Sequence, residues 1–156
     1  MKEIPPFLNQ LYSSDYKNIG TQVKRCERVN RDFVQRFGDR PRYFFSTPGR
    51  TELGGNHTDH NNGCVLAAAI DLDIVAMATG NDSKIVTVYS EGYEVPFVVN
   101  LDDLMVRQDE SGTTQAIIRG IAAKLKKSGY TIKGFDACMA SAVQPGLGLS
   151  SSAAVE

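Results

Sequence analysis

The sequence predicts an α+β fold, a mixed sheet packed against helices. Two kinds of pattern support this class: apolar residues recur at steps of three and four in some segments, and short β-branched or aromatic runs lie between them. These segments do not alternate regularly as strand, helix and strand, which argues against a doubly wound fold. Because no repeat or linker divides residues 1–156, we expect a single domain with one buried core.

The first half of the chain begins with an amphipathic helix. Its apolar residues have helical spacing over residues 15–37, and a glycine follows as a stop signal. Residues 42–46 predict a short aromatic strand, because Pro48 and Gly49 interrupt the run soon after. A polar, glycine-rich loop is then expected over residues 47–63.

The second half predicts most of the sheet. Residues 64–79 are mainly apolar but contain Asp71 and Asp73, a pattern that favours two buried strands meeting near these acids. Further strands are expected at 84–90, 95–100 and 135–143, a helix is expected around 118–125, and a last helix is expected to begin near Ser150. Since that helix would have only about two turns, we expect an amino-terminal piece of a longer protein.

Composition excludes several classes of partner. The chain has 17 Lys+Arg and 18 Asp+Glu, and a formal charge of -1 provides no field that would gather nucleic acid or an anionic membrane. Its first residues lack the apolar run of a signal peptide, and no apolar stretch is long enough to span a membrane, so a cytoplasmic location is expected. Cys26, Cys64 and Cys138 suggest neither a disulfide framework nor a zinc site, and we expect them to be buried.

A glycine- and serine-rich segment after the last predicted strand is a candidate phosphate site. Gly146 and Gly148 let the backbone approach an anion closely, and the hydroxyls of Ser150, Ser151 and Ser152 donate to phosphate or bind Mg²⁺. The segment is neither a Walker A loop nor a nucleophile elbow, and it lacks the third glycine of a dinucleotide fingerprint. A plain strand-to-helix turn with a serine cap explains these residues equally well.

The polar loop after the first predicted strand is a candidate sugar site. Arg50, Asn56, His57 and Asp59 combine cation, amide, imidazole and carboxylate, the groups that recognise polyols when they converge on a rigid frame. A simple hairpin turn is expected at residues 61–63. Two other interpretations of the loop stay open: a metal pair of His57 and His60, and a structural ion pair of Arg50 and Asp59.

Taken together, the two segments resemble the galactokinase branch of the GHMP small-molecule kinases. Residues 48–60, PGRTELGGNHTDH, are similar to the galactokinase signature P-G-R-x-N-L-I-G-E-H-x-D-Y. Residues 143–156 are similar to the ATP loop shared by all GHMP kinases, which ends in G-L-S-S-S-A. The resemblance implies the ribosomal protein S5 domain 2-like fold of the GHMP amino-terminal domain, in agreement with the α+β class.

The resemblance also implies an activity and roles for individual residues. A galactokinase transfers the γ-phosphoryl of MgATP to the anomeric C1 hydroxyl of galactose, so ATP and Mg²⁺ are the expected cofactors. Arg50 would lie beside the attacking hydroxyl and support catalysis, while a general-base aspartate is expected beyond Glu156. The other implied roles are sugar binding by Asn56, His57 and Asp59, phosphate binding by Gly146, Gly148, Leu149, Ser150, Ser151 and Ser152, and magnesium binding by Ser152.

Three departures from the family pattern bear on the substrate. Asn56 replaces a glutamate, His60 replaces an aromatic residue, and the proline of the ATP loop is displaced to position 145. An amide can donate as well as accept, so an Asn56 site suits an altered sugar such as galacturonate better than a carboxylate would. A non-catalytic sugar and ATP sensor is a further alternative, although Ala153 and Ala154 favour an enzyme.

Overall fold

The computed structural model describes residues 8, 11–12, 16–55, 58, 61–143, 149 and 151–155, and it confirms the predicted α+β class. One five-stranded mixed sheet carries helices on its two faces. The helices that lie wholly within these described residues are α1 (Tyr16–Phe37), α2 (Thr114–Lys127) and α3 (Ser151–Val155), and the strands there are β1 (Tyr43–Gly54), β2 (Leu66–Gly80), β3 (Ile85–Ser90), β4 (Phe97–Asn100) and β5 (Phe135–Ser141). A short 3₁₀ turn lies at Gln108–Glu110.

The strand order β1-β2-β5-β3-β4 places β5 at the centre of the sheet. β5 runs antiparallel to β2 and parallel to β3, whereas β1 with β2 and β3 with β4 form antiparallel pairs. The end of β5 therefore lies beside the middle of β2, where Ser141 pairs with Ile74. The segment that leaves β5 therefore starts next to β2, which in turn pairs with β1, the strand that carries the first part of residues 48–60.

The predicted amphipathic helix is confirmed as α1, which covers one face of the sheet. Ile19, Cys26, Val29 and Phe33 recur along its buried side. They pack against side chains that β2 and β5 direct to the same face, among them Val75, Cys138 and Ala140. The first residue of the predicted helix, Asp15, lies outside the described residues.

The opposite face is covered in part by α2, which is also confirmed. Thr113 caps this helix because its Oγ1 accepts a hydrogen bond from the N–H of Ala116. Gly129, at φ 86°, ends it in the left-handed region that favours glycine. The core beneath α2 contains Val86, Val88, Phe97, Val99, Leu101, Ala122 and Ala137.

An apolar groove of about 400 Å³ lies on this second face between α2, α3 and the edge of the sheet. Tyr43 and Phe45 of β1 line the groove and are 72% and 52% exposed. Val155 and Ala154 of α3 line its other side. The second face is thus less completely covered than the face beneath α1.

The expectations for β1 and β2 were wrong in one respect each. β1 does not end at Ser46 but continues to Gly54, through Pro48 and Gly49. Residues 66–80 form the single strand β2 instead of two strands. The reason is a bulge: pairing jumps from Pro48 with Asp73 to Arg50 with Ala69, so one residue of β1 and three of β2 are skipped.

The remaining differences are small. β4 begins at Phe97, and β5 ends at Ser141. Cys26 and Cys138 are buried as expected, but Cys64 is exposed because it lies just before β2 in the connecting loop. Among the described residues, no helix combines the length and apolar character needed to cross a bilayer.

Candidate functional site

The two motifs meet at the bulge of β1. The N–H of Arg50 donates a hydrogen bond of 3.2 Å to the carbonyl oxygen of Leu149, which belongs to the glycine- and serine-rich segment. Arg50 itself is exposed, whereas Gly49 just before it is buried. A residue of the predicted sugar loop and a residue of the predicted phosphate segment are therefore in direct backbone contact.

Gly49 permits this contact because it has no side chain. A Cβ atom at this position would lie 2.9 Å from the carbonyl oxygen of Leu149 and 3.2 Å from side-chain carbons of Ile70 and Val143. The first distance is too short for any real Cβ contact, and the oxygen belongs to the backbone. The close approach of the two segments therefore requires glycine here.

On the face of the sheet covered by α1, a polar cluster holds the part of β1 that leads into the bulge. It consists of the buried residues Tyr12, Arg25 and Asp73 and the half-buried Ser46. Asp73 is 3% exposed, and its carboxylate forms an ion pair with Arg25, which is 8% exposed. The same carboxylate accepts hydrogen bonds of 2.5 Å from the hydroxyls of Tyr12 and Ser46. Burial, together with the neighbouring carboxylate of Asp73, raises the pKa of Tyr12 to about 12.

A cavity of about 340 Å³ adjoins the start of α3. Ser151 and Ser152 line it together with aromatic and aliphatic side chains, including Tyr93, Phe97 and Ile117. The rings of Tyr93 and Phe97 lie 5.0 Å apart in an edge-to-face arrangement. The cavity thus joins hydroxyl donors at one side to an apolar, partly aromatic lining at the other.

Sequence reasoning missed both Asp73 and this cavity. An acid inside an apolar run indicated only a break between strands, and the turn around Tyr93 carries no motif. One signal was available, since the aromatic residues Tyr93, in the short connection after β3, and Phe97, the first residue of β4, lie only four positions apart.

The structure describes only some of the predicted site residues. Arg50, Leu149, Ser151 and Ser152 lie at the same end of β5, with Arg50 in contact with Leu149 and both serines on the cavity. Asn56, His57, Asp59, His60, Gly146, Gly148 and Ser150 lie outside the described residues. The turn expected at 61–63 is confirmed: Asn62 adopts φ 62°, and Gly63 N–H donates to the carbonyl of Thr58.

Oxygen donors suited to magnesium are present at the cavity. The hydroxyls of Ser151 and Ser152 line this space, and Mg²⁺ prefers hard oxygen ligands of this kind. Glu91 also lines the cavity, but both oxygens of its carboxylate are paired with Arg28 of α1. The two serine hydroxyls are therefore of the chemistry that suits the ion expected to accompany a nucleotide.

Comparison with known proteins adds independent findings. The family model "Galactokinase galactose-binding signature" matches residues 31–79. A galactokinase of Clostridium perfringens is 37% identical over 127 residues, which are 80% of this chain and 32% of that protein. The chain thus spans about a third of the length of the curated relatives it matches.

Solved structures agree with these sequence matches. The crystal structure of Lactococcus lactis galactokinase complexed with galactose superimposes with a TM-score of 0.72 at 33% identity, over 81% of this chain and 33% of that one. The crystal structure of Methanococcus jannaschii mevalonate kinase gives a TM-score of 0.58 at 18% identity, over 75% of this chain and 38% of that one. The second likeness indicates a shared fold only.

Proposed function

Because this chain belongs to the galactokinase family, we propose that the protein containing it transfers the γ-phosphoryl of MgATP to the C1 hydroxyl of galactose. The observation that carries the proposal is the hydrogen bond from Arg50 N–H to the Leu149 carbonyl, 3.2 Å long. It joins the strand with the sugar signature to the segment with the phosphate motif. Phosphoryl transfer needs this proximity, since its catalysis is mainly positioning and charge stabilisation.

The sugar would bind at the loop that follows the bulge. Arg50 is exposed, and its backbone N–H is bonded to Leu149. Its guanidinium would lie beside the attacking hydroxyl and the transferred phosphoryl group. Asn56, His57 and Asp59 would hold the other hydroxyls, since amide, imidazole and carboxylate supply both donors and acceptors. This assignment rests on the position of these residues in the signature.

The nucleotide would bind between the glycine-rich segment and the cavity at α3. Gly146, Gly148, Leu149, Ser150 and Ser151 would surround the phosphates. The adenine would enter the cavity lined by Tyr93 and Phe97, whose rings offer an apolar surface.

Ser152 would supply a hydroxyl ligand to magnesium. When bound, this ion offsets the negative charge of the phosphates. A general-base aspartate is expected from a part of the protein outside these 156 residues, so the activity is proposed for the whole protein. The expected cytoplasmic location and small-molecule partners accord with a soluble sugar kinase.

The test is ADP release by the full-length gene product with MgATP and a panel of galactose, galacturonate, mevalonate and homoserine. We expect turnover of galactose, and we expect Arg50→Ala to lower kcat by about 10²–10³. The matched control is Arg40→Ala, because Arg40 is bonded to Asp136 and the Gly80 carbonyl, outside both motifs.

Other outcomes would reject the proposal. Turnover of mevalonate or homoserine without galactose would assign the protein to another branch of the GHMP kinases. Binding of galactose and MgATP without ADP release would support the non-catalytic sensor instead.

A further inference from the structure

We infer that Asp73 is a positioning residue. It fixes the position of β1, which carries the sugar signature, relative to the glycine-rich segment that follows β5. The inference rests on the proposed function, since it assigns a role within that site. Asp73 belongs to neither motif and is buried, 3% exposed, on the face of the sheet covered by α1. Asp73 would therefore affect the site only indirectly, through the two backbone segments that it holds: β1 before the bulge and the chain just after β5.

The carboxylate of Asp73 joins three separate parts of the chain. Its Oδ2 accepts hydrogen bonds from Tyr12 in the amino-terminal segment and from Ser46 in β1, both 2.5 Å. Its Oδ1 forms the ion pair with Arg25 of α1. Ser46 lies four residues before Arg50, so the carboxylate holds the strand that leads into the bulge.

The backbone of Asp73 holds the other segment. Its carbonyl oxygen accepts a hydrogen bond of 2.9 Å from the N–H of Ala142, just past the end of β5. Ala142 lies two residues before the glycine-rich segment begins at position 144. Arg25 donates to the same carbonyl at 3.3 Å, which links the ion pair to this backbone contact.

Asp73 is also the last β2 residue paired with β1 before the bulge, where it lies opposite Pro48. Immediately beyond this pair, Gly49 lies against Leu149 with no room for a Cβ atom. A shift of β1 relative to β2 at Asp73 would therefore move Arg50 relative to Leu149. A misplacement of about 1 Å can cost about 10²-fold in rate when two reactants must be aligned.

A carboxylate suits this position better than its amide. The three side-chain partners of Asp73 are all hydrogen-bond donors, and a carboxylate offers two oxygens that only accept. Asp73→Asn would present an NH₂ group to at least one of these donors and would leave Arg25 buried without a counter-ion. This change therefore loosens the cluster with little change in volume.

The test compares Asp73→Asn with the matched control Asp136→Asn. Asp136 lies near the other end of β5, where its carboxylate pairs with Arg40 and Asn81. The first readout is hydrogen exchange at the amides of Arg50 and Ala142, followed by NMR. Asp73→Asn should speed exchange at both amides by more than about tenfold, equivalent to ~1.4 kcal/mol of local protection, whereas the control should not.

Ser46→Ala keeps the test decisive if Asp73→Asn fails to fold. It removes one hydrogen bond to the carboxylate and leaves the ion pair, so exchange should become faster at Arg50 and stay unchanged at Ala142. A folded Asp73→Asn protein with wild-type exchange at both amides would overturn the inference, and so would unchanged Arg50 exchange in Ser46→Ala.

Kinetics of the full-length protein give the second readout. Asp73→Asn should lower kcat by about 10- to 100-fold and change KM for galactose and ATP by less than about threefold, since alignment matters more than binding. A fall in thermal stability with kcat intact would mean a purely structural role. If the wild-type protein does not phosphorylate galactose, the proposed function fails, while the exchange measurement still tests the link between Asp73 and the two segments.

Discussion

Gly49 is the residue at which the two segments of the candidate site come closest. We predict that Gly49→Ala destabilises the protein by about 1–3 kcal/mol, because the added Cβ would lie 2.9 Å from the Leu149 carbonyl oxygen. The measurement is the urea unfolding midpoint.

The control for this substitution is Gly20→Ala in α1. A Cβ atom at Gly20 would meet nothing within 4 Å, so alanine should stabilise the helix by about 0.5–1 kcal/mol. Opposite signs at the two glycines would support the close approach at Gly49. A neutral or stabilising effect of Gly49→Ala would show that the backbone at Leu149 can shift to accept a Cβ atom at little cost in stability.

Asn56 offers a test of sugar specificity. We predict that Asn56→Glu, which restores the residue of the general signature, raises the preference of the full-length protein for galactose over galacturonate. The physical reason is repulsion between the glutamate carboxylate in the site and the carboxylate of galacturonate. Two like charges brought into contact cost several kcal/mol. This preference is measured as the ratio of the phosphorylation rates of galactose and galacturonate when both sugars compete. An unchanged ratio would show that Asn56 does not face the carboxylate of galacturonate.

Residues that act through distant partners were the hardest to predict. Arg50 and Leu149 could be assigned to one site because each belongs to a motif with a known order. Asp73 could not, since its partners Tyr12, Arg25 and Ser46 are 61, 48 and 27 positions away. Two acids in an apolar run indicate a break between strands, and only the fold reveals that three donors surround one of them, Asp73.

Among the elements, the helices were predicted best and the β1–β2 pair worst. The apolar spacing of α1 extends over 22 residues, enough to fix its type and its end. For β1, Pro48 and Gly49 indicated that the strand ends before them. They are tolerated because β1 is an edge strand and because the bulge absorbs the irregularity. Of the two acids in β2, Asp71 is among the residues skipped at this bulge, and Asp73 is the paired residue directly beside it.

The cap of α2 can be tested directly. Thr113→Ala should cost about 1 kcal/mol, because Oγ1 of Thr113 accepts from the Ala116 N–H at 3.3 Å and donates to the Glu110 carbonyl at 2.6 Å. Chemical denaturation measures the loss. Thr113→Ser keeps the hydroxyl and should retain most of the stability, so equal losses in both variants would contradict the capping role.

At the scale of the whole molecule, Tyr12 predicts a dependence of stability on alkaline pH. Its pKa is raised from 10.0 to about 12 in the folded protein, so the folded chain keeps a proton that the unfolded chain releases first. The stabilisation is complete below pH 10 and is lost as the pH rises toward 12.

Denaturant midpoints measured from pH 9 upward should therefore fall more steeply for the wild type than for Tyr12→Phe. Other groups that titrate in this range are common to both proteins and cancel in the difference. Tyr130→Phe, at a tyrosine that is 66% exposed, is the control and should follow the wild type. Parallel curves for wild type and Tyr12→Phe would contradict the prediction.

The 156-residue chain on its own should bind MgATP weakly and release no ADP with galactose. It spans about a third of its relatives' length, and loss of general-base assistance alone typically lowers a rate by about 10²–10⁴. Calorimetric titration should give a Kd above about 1 mM, so the binding free energy should be weaker than ~4 kcal/mol. Micromolar binding with measurable turnover would show that these residues contain a complete site.

The bulge that brings Gly49 to Leu149 has a further consequence, for solubility. β1 is an edge strand of 12 residues, long enough to act as a template on which another chain could add a strand. Proline at position 48 and the jump in register after it divide that edge into two short stretches. The irregularity that shapes the site thereby also shortens each stretch of this edge with which another chain could pair.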